Sequence, residues 1–217
     1  MLLAMTLGWT VLVGPCGCAH VGAFNTLGCN VRKRRQWVAA LVAYSLGGIV
    51  AGSVVGAALG LFGSLLFDLE AFWPAVLLVG VACVFRELVA PGTPIPEIRR
   101  QTRSRWFKRL PVPFNAAMWG ADVGLTFATW LTFSGAWLLA VIAVVNGNVL
   151  FGSAVFAAYW VGRVLPHIVE PFLIRSSASV VPFIGVVLSL NNQMRVIHGM
   201  SILVFIACLV VSQVSGY

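Results

Sequence analysis

Apolar residues run along this chain in long blocks, and short polar or glycine-rich interruptions separate them. Six blocks approach or exceed the roughly 20 residues that an α-helix needs to cross a bilayer's hydrocarbon core. They cover about 2–28, 37–67, 71–89, 114–145, 149–174 and 196–215. The first is interrupted by Gly14, Pro15 and Gly17, and the fourth carries Asp122. The second, with "AYSLGGIVAGSVVGAALG", has the density of small residues that lets helix backbones approach closely in membranes. A further apolar stretch, "SASVVPFIGVVLSL" within 176–192, is too short to span and reads as a re-entrant or interfacial piece. The pattern predicts an all-α integral membrane protein of six transmembrane helices.

Composition agrees with the pattern. Of 217 residues, 60% are hydrophobic and only 9% are charged, against roughly 25% charged in a soluble domain. The mean hydropathy is +0.97. With the blocks consuming most of the chain, no sizeable soluble domain is left.

The net charge of +8 reads as orientation. Arg32, Lys33, Arg34 and Arg35 share one short loop, and Arg99, Arg100, Arg103, Arg105, Lys108 and Arg109 share another. Arg163, Arg175 and Arg195 flank a third region, while the other flanks include Asp68 and Glu70. Such alternation follows the positive-inside rule, with membrane lipid as the expected partner. It places the basic loops in the cytoplasm and both termini outside, in the cell membrane of a bacterium or archaeon. No aromatic–basic motif accompanies the arginines, so no nucleic-acid partner is expected. No positive n-region precedes the first block, so no cleaved signal is expected either.

The two halves echo each other. Gly8-Trp9-Thr10-Val11 resembles Gly124-Leu125-Thr126-Phe127, 116 residues later, and Ala43–Gly47 resembles Ala158–Gly162, 115 residues later. Val81-Ala82-Cys83 echoes Ile206-Ala207-Cys208. The expectation is a 3+3 inverted-topology repeat: 1–90, a basic cytoplasmic loop 91–113, and 114–217. At the first spacing, Cys16 falls opposite Thr132 and Cys18 opposite Ser134, hydroxyls where the first half has thiols.

Chemistry concentrates in "GPCGCAH", Gly14–His20. Pro15 and Gly17 break a helix, and irregular backbone at membrane depth is tolerated only where it is buried in protein or lines a wet cavity. Thiol–disulfide exchange needs a thiolate, which freed backbone N–H groups would favour. Cys16 and Cys18 could close a small strained ring between themselves. The same Cys16 and Cys18, with His20, could instead hold a soft metal ion such as copper, mercury or zinc. Otherwise no cofactor is expected. Five cysteines cannot all pair within the chain. Cys83 and Cys208 read as packing residues, with a mutual pairing the lesser reading, and Cys29 as a loop cysteine. Asp122 could bind a cation, relay a proton or pair with an arginine. Arg163 and Glu170 could make an internal ion pair, but with His167 and His198 they read as interfacial.

Gly14-Pro15-Cys16 in the first block, "AYSLGG" in the second and "AAYWVGRVLP" in the fifth resemble the cytochrome c biogenesis protein CcdA and the related membrane domain of DsbD. That resemblance implies a thiol-disulfide oxidoreductase or electron carrier. It would pass reducing equivalents from a cytoplasmic thioredoxin-like reductant to an extracytoplasmic thiol client and support that client's maturation. Cys16 would be the exchanging thiol and Cys18 the resolving one, with Thr132 and Ser134 lining the opposite position. The family's second cysteine, beside a proline in the fourth span, has no counterpart in "TWLTFSG". Two other readings stay open: a transporter or binding subunit for a soft metal ion or small solute, and a structural subunit of a larger membrane complex.

Overall fold

The computed structural model describes residues 1–14, 34–66, 73–96, 98, 100, 111–129, 131–173 and 180–215. Pro15, Cys16, Gly17, Cys18, His20 and Cys29 lie outside the described residues, as does most of the basic loop. Every regular element described is helical. These are α1 (Leu2–Thr10), α2 (Arg34–Leu66), α3 (Trp73–Val84), α4 (Val112–Gly124), α5 (Gly135–Asn146), α6 (Val149–Leu173), α7 (Val180–Ser189) and α8 (Asn191–Val214). A 3₁₀ turn over Val11–Val13 extends α1, and a π-helical turn over Phe85–Val89 extends α3.

Three helices are long and apolar enough to cross a membrane, over Arg34–Leu65, Val149–Val169 and Asn191–Val214. The fourth predicted span is where expectation and structure part. It is two helices of 13 and 12 residues, α4 and α5, with non-helical backbone over 125–129 and 131–134 between them. Neither half is long enough to span alone. Thr126 sits in the break at φ +56°, a left-handed conformation that a β-branched residue adopts only under constraint. Within the apolar stretch before α8, Val180–Ser189 form the ten-residue helix α7.

The centre of the fold is the antiparallel crossing of α2 and α6. Gly48 lies against the Trp160 ring, Gly52 against the Phe156 carbonyl, Gly56 against Gly152, and Gly60 against the Asn148 carbonyl. One helix rises by four as the other falls by four, so one small residue per turn keeps the backbones in contact. A methyl group at Gly56 would fall on the Gly152 carbonyl, and one at Gly152 would fall on that of Gly56. Cross-helix hydrogen bonds run beside this seam, from Ser153 Oγ to the Ser53 carbonyl at 2.9 Å and from Trp160 Nε1 to the Ser45 carbonyl at 3.0 Å. The opposite face of α2 exposes Val38, Val42, Leu46, Val50 and Val54 in a stripe.

Two flanking contacts match. Gly8 of α1 packs on the Tyr159 carbonyl of α6, and Gly162 packs on the Met5 carbonyl. Gly120 of α4 packs on the Tyr44 carbonyl of α2, and Gly47 packs on the Ala117 carbonyl. These contacts equate Gly8 with Gly120, a spacing of 112, not with Gly124 as the sequence echo has it. The difference is one helical turn, a slip that apolar sequences rich in glycine readily conceal.

Candidate functional site

The break in the α4–α5 segment frees backbone N–H groups that apolar surroundings cannot satisfy. Side chains from two other helices take them up. The Ser134 N–H donates to Glu87 Oε1 at 2.8 Å, and Ser134 Oγ donates to the same oxygen at 2.7 Å. The next N–H, of Gly135, donates to His198 Nε2 at 3.0 Å. Arg86 completes the set by pairing with Glu87 Oε1. The N-terminus of α5, the positive end of its dipole, therefore faces a carboxylate supplied by the π-helical turn. Glu87 is 1% exposed and His198 is fully buried.

His198 ties this break to the end of α1. Its Nδ1 lies 2.7 Å from Thr10 Oγ1, whose own hydroxyl donates to the Leu7 carbonyl at 2.9 Å. Nε2 accepts from Gly135, so the network assigns a neutral imidazole carrying its proton on Nδ1 and donating it to Thr10. The ring also stacks near Phe133, with centroids 4.9 Å apart. Glycine is required twice here: a methyl at Gly135 would meet the imidazole, and one at Gly199 would meet Leu88 and the Glu87 side chain. The other side of Ser134 is held by Cys83, whose thiol donates to the Ser134 carbonyl at 3.7 Å.

Two breaks thus meet at one place. Gly14, at the end of the 3₁₀ turn, abuts Thr132 so closely that a methyl there would fall on the threonine hydroxyl. A polar pocket of about 430 Å³ opens beside this junction, lined by Arg86, Glu87, Pro91, Gly92, Thr132, Phe133, Asn191 and Arg195. Thr132 and Ser134 are therefore brought together, one at the pocket and one on Glu87. Cys16, Cys18 and His20 lie outside the described residues. Among the described residues, no group of three His, Cys, Asp or Glu could hold a metal ion.

Asp122 is separate from the junction. It pairs with Arg100, whose Nε donates to the Ala128 carbonyl at 3.2 Å, fastening the end of α4 to the break. Of the options open to Asp122, the arginine pair is the one present. Several residues read as interfacial are instead internal. Arg163 is 3% exposed with its guanidinium 5.8 Å from the Trp160 ring, and His167 is buried edge-on to Tyr44. His198 is a junction residue. Cys83 is free and buried and Cys208 is free and exposed, so the two do not pair. Sequence reasoning missed Glu87 altogether, although an acid beside an arginine at the end of an apolar block was its available signal.

Comparison with known proteins finds relatives of another kind than CcdA. A protein from Paracoccus versutus is 25% identical over 175 residues, 76% of this chain and 64% of its own length. One from Methylorubrum extorquens is 26% identical over 160 residues, covering 72% and 56%. One from Paracoccus denitrificans is 25% identical over 156 residues, covering 70% and 56%. All three are named methylamine utilization protein MauF. The chain spans 56 to 64% of the length of these relatives. No protein-family profile matches it, and no solved structure does. The resemblance to CcdA and DsbD, and the thiol–disulfide function it implied, are corrected accordingly. Short patches such as "AYSLGG" reflect helix packing, since Tyr44 and Gly47 are contact residues of the α2–α4 crossing.

Proposed function

We propose that this chain is a membrane protein serving methylamine utilization, as the name of its MauF relatives says of them. The single observation that carries the proposal is their agreement over 70 to 76% of the chain under one name. Residue chemistry supports the membrane part. Exposed stripes such as Val38, Val42, Leu46, Val50 and Val54 would be costly in water and suit a lipid-facing surface.

The architecture under this proposal is six spans in two inverted halves, 1–90 and 114–217, joined by the basic cytoplasmic segment 91–113. Both termini are then extracytoplasmic. The matched contacts of Gly8 with Tyr159 and Gly120 with Tyr44 support the duplication. In such folds, working sites form where discontinuous helices face each other across the repeat. The junction of Thr10, Glu87, Ser134, Gly135 and His198 is that place here, and we assign it the functional role.

Deletion of the gene should abolish growth on methylamine as sole nitrogen source and leave growth on ammonium intact. The intact gene should restore growth, and Glu87→Ala should fail to restore it. Normal growth of the deletion strain on methylamine would refute the proposal.

A further inference from the structure

We propose that the pocket beside α8, together with the apolar groove next to it, is a binding site for one phospholipid with an anionic headgroup. The inference rests on the membrane reading given above. The pocket's charge is unbalanced. Arg86 and Arg195 both line it, against the single carboxylate of Glu87. Glu87 Oε1 already accepts from Ser134 N, Ser134 Oγ and Arg86, while its Oε2 is buried with no partner, so the two arginines exceed the carboxylate by one charge.

Arg195 makes no hydrogen bond or ion pair among the described residues, and its Nε is buried with no partner. A guanidinium has donors only, so an unsatisfied one asks for an acceptor, and a phosphate oxyanion is the best geometric match. Asn191 and Thr132 add further donors at the rim. The first turn of α8 begins there too, behind Leu190, which has no side-chain cap to offer its N–H groups.

The second half of the argument is apolar. Met194, the residue before Arg195, lines a groove of about 410 Å³ with Trp9, Leu12 and Phe183. The polar pocket and the apolar groove therefore meet α8 at consecutive residues, Arg195 and Met194, the rest of the groove being lined from α1, α6 and α7. A free phosphate would satisfy the arginines and leave the groove unused, whereas a phospholipid uses both. In the proposed orientation the start of α8 faces the cytoplasm, beside the leaflet that carries anionic lipids.

The test is native mass spectrometry of the purified protein in neutral detergent, titrated with phosphatidylglycerol, with phosphatidylcholine of the same chains, and with inorganic phosphate. Phosphatidylglycerol should bind at least about tenfold more tightly than phosphatidylcholine, because both offer a phosphate to Arg195 but phosphatidylcholine also brings a quaternary ammonium beside Arg86 and Arg195. Arg195→Gln should remove that preference. Met194→Trp, which fills the groove and leaves the arginines in place, should weaken both lipids alike. Should Arg195→Gln fail to fold, Asn191→Asp should remove the same preference, because an acid in the exposed first turn suits the helix dipole and opposes an anion. Unchanged preference in both variants, or inorganic phosphate that displaces phosphatidylglycerol completely, would overturn the assignment. The readout does not involve growth on methylamine, so either proposal can fail without the other.

Discussion

The α2–α6 crossing and the α4–α5 junction solve the same problem by opposite means. Both must bring backbone close to backbone inside apolar surroundings. The crossing does it by removing side chains: Gly48, Gly52, Gly56 and Gly60 let two unbroken helices touch along successive turns. The junction gives up the helix itself over 125–129 and 131–134 and repairs the loss with Glu87 and His198, which reach in from α3's π-helical extension and α8. The first arrangement is rigid and chemically inert. The second concentrates a carboxylate, an imidazole, a hydroxyl and a thiol in one place.

Removal of Glu87 should show the difference most strongly. Glu87→Ala leaves the Ser134 N–H, the Ser134 hydroxyl and Arg86 without their shared acceptor, all at a buried site. Breaking a buried charged pair in this way costs about 3–5 kcal/mol. Unfolding of the purified protein in detergent measures it, and a loss below about 1 kcal/mol would mean that water or a rearranged donor replaces the carboxylate. Gly56→Ala should come second. Its methyl would fall on the Gly152 carbonyl, and because both partners are backbone neither yields by rotating. Overpacking of this kind costs about 1–3 kcal/mol, and alanine's better helix propensity offsets at most about 1 kcal/mol of it. The two changes should add when combined, since the sites share no partner. By contrast, Glu87→Ala and His198→Ala should be markedly non-additive, because they cap consecutive N–H groups of one helix end.

The crossing was legible in the sequence and the junction was not. Small residues in "AYSLGGIVAGSVVGAALG" announce close packing whatever the partner, because density of glycine is itself the cause. Nothing in "TWLTFSG" announces a break: it is as apolar as the helices around it and has no proline. The break is maintained from outside, by residues 47 and 63 positions away in the chain. His198 looked like an end-of-span residue, since a polar group near a block boundary ordinarily faces water, and Glu87 was not singled out at all. Asp122 was legible as an intramembrane acid, and an arginine pair was among its options. The sequence echo set Gly8 against Gly124 because four-residue glycine spacing makes adjacent turns look alike. Close contacts distinguish Gly120 from Gly124, and letters do not.

Two smaller changes separate the roles within the junction. Thr10→Val keeps the side chain's shape and removes the oxygen that accepts the His198 Nδ1 proton. The imidazole then has an unsatisfied buried donor, at about 1–2 kcal/mol. It also loses the restraint that fixes its tautomer, so nitrogen NMR of the histidine should show the Nδ1-protonated form giving way to a mixture. An unshifted tautomer with intact stability would show that Gly135 alone orients the ring. Cys83→Ala should have the smallest effect. The thiol's bond to the Ser134 carbonyl is long, at 3.7 Å, and that carbonyl also accepts from the Trp137 N–H at 2.9 Å, so no acceptor is orphaned. Only a weak S–H bond and a little packing volume are lost, about 1 kcal/mol or less. If Cys83→Ala nevertheless abolished growth on methylamine while the protein stayed folded, the thiol would be more than a packing residue. The junction's chemistry would then extend from the carboxylate and imidazole to sulfur.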